Sequence, residues 1–321
     1  MTSSKTALLF SGQGAQEIGM GRGLAESNPE IMDLWKKAEK ISRIPLRGLY
    51  WEGGENLDNT RNLQPALVTA NIGLWMALAP HIKPSGAAGH SLGEYCALAA
   101  ASVLGPEQIL ELVSLRGRLM AEADPEGKGG MAAILKLDLP RAEEAVKLAL
   151  EACANGQEVL ILANYNTPSQ FVASGSRQAL ECLASKAREL KGRVLPLAVS
   201  GAFHSPLMEE AAREMSLAIN KCAFSHPRFP VYCNVNGRAA SRGEEIKSLL
   251  LRQMTSSVYW IDTVRNLFND GMNMFVECSP KNVLARMVEQ ILSPPVAAGA
   301  YDAFTVSCPD DVADFVRRMQ G

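Results

Sequence analysis

The chain has 321 residues, 47% hydrophobic and 21% charged, with a formal net charge of -2. That composition gives enough apolar mass for one large globular domain or two smaller ones. It lacks the basic excess of a protein that wraps nucleic acid, and no apolar run reaches the roughly 18 residues of a membrane span.

In chain order, Ala7 to Phe10 reads as a strand that runs into the glycine-rich turn Ser11-Gly12-Gln13-Gly14-Ala15-Gln16. Asn28-Pro29 opens a helix, with Asn as N-cap and Pro at the first position. Ile31, Leu34, Trp35, Ala38 and Ile41 give that helix one apolar face. Pro65 is predicted to start a second helix, from Ala66 to Leu78, apolar nearly all round and therefore buried. Pro106 starts a third that runs to about Ala123, and Asp124 to Gly130 breaks the pattern. Then come a strand (Met131 to Leu137), a helix (Pro140 to Ala154), two strands (Val159 to Ala163, Gln170 to Ala173), a helix (Arg177 to Leu190) and a strand (Arg193 to Val199). This β-α-β-β-α-β order is ferredoxin-like. Residues 129–198 are thus expected to form a small lobe inserted in a larger α/β lobe made of 1–128 and 199–321. The helices Pro206 to Ile219 and Glu244 to Met254, and the strand Met274 to Glu277, belong to the larger lobe.

Seven cysteines, at 96, 153, 182, 222, 233, 278 and 308, include no C-x-x-C, and the four histidines are not paired at metal spacing. This argues against disulfides and zinc, and predicts no metal; the cysteines read as small buried hydrophobes. Met1 to Leu9 has one lysine and too short an apolar run for a signal peptide, so a cytoplasmic protein is expected.

Gly89-His90-Ser91-Leu92-Gly93 fits G-x-S-x-G between the small-residue segment Gly86-Ala87-Ala88 and an alanine-rich helix, Glu94 to Ala101. Strand, sharp turn and helix is the context in which this pattern exposes a nucleophilic serine, with helix N–H groups free for an oxyanion. The alternative is a chance match in a small-residue turn. A serine nucleophile needs a base. His90, next to Ser91, should point away from its oxygen; His81 and His226 read as solvated or locally bonded. His204 lies where a strand ends and a helix begins, with Ser205 as N-cap before Pro206. It is either the base or a capping or packing histidine. Between Ser91 and His204 the aspartates are Asp124 and Asp138, neither well placed, so a dyad oriented by a backbone carbonyl is expected.

On the third helix Ile109, Val113, Arg116 and Met120 share one face, and Arg118 points the opposite way. A buried Arg116 requires an anionic partner. That partner is either a structural Asp or Glu, or a substrate carboxylate gripped by the planar fork.

These features resemble the malonyl-CoA:acyl-carrier-protein transacylases of fatty-acid synthesis and the acyltransferase domains of polyketide synthases. The resemblance spans essentially the whole chain. It rests on Gly12-Gln13-Gly14-Ala15-Gln16, Gln64-Pro65-Ala66-Leu67, Gly89 to Glu94, Arg116-Gly117, Asn164 to Pro168, Ala202-Phe203-His204-Ser205 and Arg252-Gln253. It implies an α/β-hydrolase-like large lobe with a ferredoxin-like insert, Ser91 as nucleophile and His204 as base. The N–H groups of Gln13 and Leu92 would form the oxyanion hole, Arg116 would grip the malonyl carboxylate, and the Gln253 carbonyl would orient His204. Gln64, Asn164 and Asn166, within the shared markers, are expected in the substrate site. Phe203 is similar to the residue that accompanies malonyl rather than methylmalonyl specificity. The resemblance further implies malonyl-CoA and an acyl carrier protein as partners, no nucleic acid or membrane, and no cofactor beyond the coenzyme A thioester substrate. Where the family shows Gly-Pro-Gly, this chain has Ser279-Pro280-Lys281-Asn282, and Asn282 is expected to take the left-handed place of glycine. The rival readings are a polyketide acyltransferase acting in trans, a serine thioesterase or acyl hydrolase, and a non-catalytic carrier-binding subunit, the last of which predicts loss of Ser91 or His204. Lys186, Arg188, Lys191 and Arg193 form either a solvated face or a steering surface for an acidic carrier.

Overall fold

A computed structural model describes residues 5–54, 57–153, 156–293 and 295–320. The first part of the chain forms β1 (Lys5–Phe10), α1 (Arg22–Ser27), α2 (Pro29–Ser42), α3 (Leu46–Trp51), α4 (Thr60–Leu78), β2 (Pro84–Gly89), α5 (Gly93–Ala100) and α6 (Pro106–Glu122). Next come β3 (Gly129–Leu135), α7 (Leu139–Ala152), β4 (Leu160–Thr167), β5 (Gln170–Ser176), α8 (Arg177–Glu189) and β6 (Arg193–Pro196). The remainder is α9 (Glu209–Lys221), β7 (Val231–Tyr232), β8 (Ala239–Ala240), α10 (Gly243–Leu250), α11 (Trp260–Asn269), β9 (Met272–Cys278), α12 (Leu284–Leu292), β10 (Asp302–Val306) and α13 (Pro309–Gln320).

The larger sheet has the order β10-β9-β1-β2-β7-β8. Its first five strands are parallel and β8 pairs antiparallel with β7. Along β1, Leu8 and Phe10 enter one apolar cluster and Ala7 and Leu9 the other. The strand is therefore buried on both faces, which is why it reads as a continuous apolar run. The second sheet, β4-β5-β3-β6, is antiparallel throughout. With α7 and α8 between its strands it has the ferredoxin-like pairing, so the architecture is the two-lobed α/β class expected. The lobes are stitched together where β4 meets the segment before α11: the Tyr165 amide donates to the Val258 carbonyl at 3.0 Å, and the Val258 amide to the Ala163 carbonyl at 2.8 Å.

Several local expectations are corrected. The helix predicted to start at Pro65 begins at Thr60, capped by Asn59, and carries Pro65 inside. Proline has no N–H for the Arg61 carbonyl. That carbonyl and its Thr60 neighbour instead face Gly117 on α6, where a Cβ would lie 3.1 and 3.0 Å from them. The missing bond thus sits at a close helix crossing, which brings Gln64 opposite Arg116. The helix expected over Glu244 to Met254 stops at Leu250, and Gln253–Thr255 forms a separate 3-10 turn. Pro206–Met208 is likewise a 3-10 turn ahead of α9. The helix placed at Pro140 to Ala154 starts at Leu139; Ala154, like Met1 to Ser4 of the N-terminal stretch, lies outside the described residues. Asn282 is not among the residues with positive φ. The turn is held instead by the Glu277 carboxylate, which accepts from the amides of Leu284 at 2.9 Å and Ala285 at 3.0 Å at the start of α12. A carboxylate on a helix N-terminus supplies the acceptors that a glycine turn would otherwise leave to water.

Candidate active site

The parallel strands set the stage. Phe10 pairs with Gly89, so the loops after β1 and β2 leave the sheet side by side at its carboxyl edge, where α/β sheets build their sites. A Cβ on Gly93 would sit 2.0 Å from the Phe10 carbonyl oxygen, and one on Gly89 would sit 1.9 Å from the Gly93 carbonyl carbon. These glycines are required for close approach; the left-handed residue of the turn is Ser91 itself, at φ 50. His204 is also left-handed, at φ 58. Both predicted dyad members thus occupy strained backbone, as is common at functional sites.

Ser91 Oγ lies 2.7 Å from His204 Nε2. His204 Nδ1 faces two carbonyl oxygens, those of Gln253 at 3.0 Å and Ser256 at 3.1 Å. Carbonyls only accept, so Nδ1 carries the proton and Nε2 is free to take the one on Ser91. Burial, then the nearby Arg116 charge, lowers the His204 pKa to about 3. The imidazole is therefore neutral and ready to act as a base at neutral pH.

Arg116 is 1% exposed. One terminal nitrogen donates to Gln64 Oε1 at 3.0 Å; the other donates to Ser91 Oγ and Gln253 Oε1, both at 3.2 Å. Its guanidinium stands 5.6 Å from the centre of the Tyr95 ring. Among the described residues no carboxylate is within ion-pair distance of it, so the structural salt bridge does not form. Two amide oxygens and a hydroxyl leave a buried charge only partly compensated, and burial lowers its pKa.

Ser91, His204, Arg116 and Phe203 line one cleft, joined by Gln13, Leu92, Asn164 and Asn166. Gln64 and Gln253 stand behind it, against Arg116. A Cβ on Gly12 would lie 3.6 Å from the Leu92 amide nitrogen, so the amides of Gln13 and Leu92 belong to adjoining loops. Neither donates to a backbone acceptor in the turns and loops described. His90 is turned from Ser91 as predicted, with Nε2 on Asn166 Oδ1 at 2.8 Å. His81 and His226 are exposed. All seven cysteines are free thiols, four of them buried, and among the described residues no His/Cys/Asp/Glu group could hold a metal.

Two residues of the site carried no sequence signal as such: Asn234 and Ser256. The Gln253 side chain also contributes beyond its carbonyl: its Nε2 donates to Glu94 Oε2 at 2.9 Å and to the Ser91 carbonyl at 3.0 Å. That fixes its Oε1 toward Arg116. Glu94 is fully buried, and burial above all pushes its pKa up to about 7. The only sequence hint of Glu94 was its place at the end of the elbow motif.

Fold and site together define an acyltransferase. The model of the acyl transferase domain family matches residues 7–317. Malonyl CoA-acyl carrier protein transacylase of Staphylococcus aureus (strain MSSA476) is 38% identical over 290 residues, covering 90% of this chain and 92% of the relative. The crystal structure of FabD from Acinetobacter baumannii superposes with a TM-score of 0.89 at 33% identity, covering 99% of this chain and 98% of that one. A malonyl-transacylase in complex with its holo type II PKS acyl-carrier protein matches with a TM-score of 0.89 at 32% identity, covering 98% and 100%. The chain belongs to the malonyl CoA-acyl carrier protein transacylase family.

Proposed function

We propose that this chain moves a malonyl group from malonyl-CoA to the phosphopantetheine thiol of an acyl carrier protein, supplying fatty-acid synthesis, through a malonyl-serine intermediate. The observation that carries the substrate choice is Arg116: a buried cation with no carboxylate within ion-pair distance among the described residues, 3.2 Å from the nucleophile oxygen. A malonyl carboxylate answers that charge with a bidentate pair. Gln64 and Gln253 hold the fork in place by accepting from it.

The chemistry is ping-pong. His204 Nε2 takes the Ser91 proton as Oγ attacks the thioester carbonyl. The tetrahedral oxyanion is held by the Gln13 and Leu92 amides, which the start of α5 favours by its dipole. The intermediate collapses, the C–S bond breaks, and His204 returns the proton to the departing coenzyme A thiolate. The carrier thiol then gives its proton to His204, attacks the malonyl ester, and Ser91 leaves with the proton restored. Residues 129–198 roof the cleft through Asn164 and Asn166, and Phe203 leaves little room for an α-methyl. No cofactor is called for beyond the thioester. The reaction belongs in the cytoplasm, where carrier thiols stay reduced; no helix among the described residues is long and apolar enough to cross a membrane.

The test is mass spectrometry of the protein mixed with malonyl-CoA. A malonyl adduct on Ser91 is expected, absent in Ser91→Ala, which removes one oxygen and leaves the fold. An adduct retained in the alanine variant would overturn the assignment.

A further inference from the structure

β7 pairs with β2 so that Tyr232 lies beside Ala88. Two residues beyond each, Asn234 comes level with the elbow. Its carboxamide makes two bonds that straddle the turn: Oδ1 accepts from the Ser91 amide at 2.7 Å, and Nδ2 donates to the Gly89 carbonyl at 2.7 Å. Asn234 is itself fully buried and tied at both backbone ends. Its amide donates to Glu94 Oε2 at 3.2 Å and its carbonyl accepts from the Tyr259 amide at 3.0 Å. One fork that both accepts and donates matches the N–H and C=O that a sharp turn leaves unpaired.

We propose that Asn234 is a positioning residue for the nucleophile: its carboxamide holds the elbow in the left-handed form and, by occupying the Ser91 amide, leaves Leu92 as the elbow amide that faces the oxyanion. The inference rests on Ser91 being the nucleophile and not on the identity of the acyl group. Ser91 at φ 50 is strained for a residue with a Cβ. Such strain persists only where the surroundings over-determine it. Asn234 and Gln253 do so from opposite sides, one binding the Ser91 N–H and the other its C=O. Without Asn234 the turn relaxes, Oγ leaves the line to His204 Nε2, and the Ser91 N–H competes for the oxyanion position. A misplacement of about 1 Å costs on the order of a hundredfold in rate.

The experiment measures the second-order rate of Ser91 labelling by a fluorophosphonate, which reports nucleophile and oxyanion hole with no malonyl group involved. Wild type, Asn234→Ala and Asn234→Asp are compared, each corrected for folded fraction by thermal melting. Asn234→Ala is expected to label about a hundredfold more slowly, with the KM for malonyl-CoA nearly unchanged because Arg116 and its partners are untouched. Asn234→Asp keeps the acceptor for the Ser91 amide but not the donor to Gly89, and its rate should fall between. Labelling of folded Asn234→Ala within about threefold of wild type would overturn the proposal. If the alanine variant does not fold, an Asn234→Asp rate equal to wild type overturns it and a rate about tenfold lower supports it. Normal labelling of wild type without any malonyl adduct would instead count against the proposed substrate.

Discussion

Arg116 meets two demands at once: it fills the core face of α6, and it offers its charge to the cleft. Replacing it with alanine removes one partner of a charge-assisted pair in a largely dry site, a loss of about 2–5 kcal/mol, or roughly 30- to several-thousand-fold in specificity for malonyl-CoA. Acetyl-CoA has no free carboxylate, so its use should fall little or rise. The measurement is the ratio of kcat/KM for the two thioesters in wild type and Arg116→Ala, with folding checked by melting. Equal losses on both substrates in a folded variant would remove the clamp. His204 adds a pH expectation. Its pKa of about 3, set first by burial and then by Arg116, keeps it neutral far below the usual histidine range. The acid limb of kcat/KM for the free enzyme should therefore lie well below pH 6.5. A bound malonyl carboxylate cancels the Arg116 charge, so the acid limb of kcat should lie higher than that of kcat/KM. The same shift costs stability in acid: below about pH 6.5 the unfolded chain takes up a proton that folded His204 refuses. Glu94 works in the opposite sense. With its pKa raised to about 7, its stabilising contribution is present below the ordinary carboxylate value and is lost as pH rises through about 7. Profiles taken in wild type and Glu94→Gln separate the two groups. A kcat/KM limb at or above pH 6.5 in both proteins would contradict the shielding of His204.

Among the elements, α8 carries the expectation for the carrier. Arg188, Lys191 and Arg193 are exposed around its C-terminal end, whereas Lys186 is half-buried and paired with Glu189 at 3.0 Å. The groove between α8 and β6 shares Met131, Leu197 and Val199 with the catalytic cleft. None of Arg188, Lys191 and Arg193 lines that groove; their charge stands at the end of β6 away from Leu197, where Arg193 pairs with Leu135. We propose that it steers an acidic carrier. Arg188→Glu with Arg193→Glu should raise the apparent KM for the carrier about tenfold at low salt, less at high salt, and leave the KM for malonyl-CoA unchanged. An unaltered carrier response would take this face out of the docking surface. The helices also show what periodicity conveys. The α2 cap at Asn28 and the apolar faces of α2 and α6 lie where the sequence pattern puts them. Pro65 does not break α4, because its missing bond is absorbed at the crossing with Gly117.

At the scale of the whole molecule, the two sheets and the line of contact between them arrange groups far apart in the chain. What the sequence alone determined is what physics settles locally: strand and helix periods, caps, the glycine-flanked turn at Ser91, the strand-to-helix position of His204, and the inward face of Arg116. Each rests on interactions within a turn or two of chain. Only the tertiary structure decided what surrounds those groups. Among the described residues Arg116 proved to have two amide oxygens and a hydroxyl as partners and no carboxylate at ion-pair distance; Asn234 braces Ser91 from 143 positions away and Gln253 from 162. Glu277, not a left-handed Asn282, holds the turn into α12. These outcomes depend on which strands become neighbours and in what register. A one-residue change there would turn Asn234 to the other face, and no local propensity records that choice.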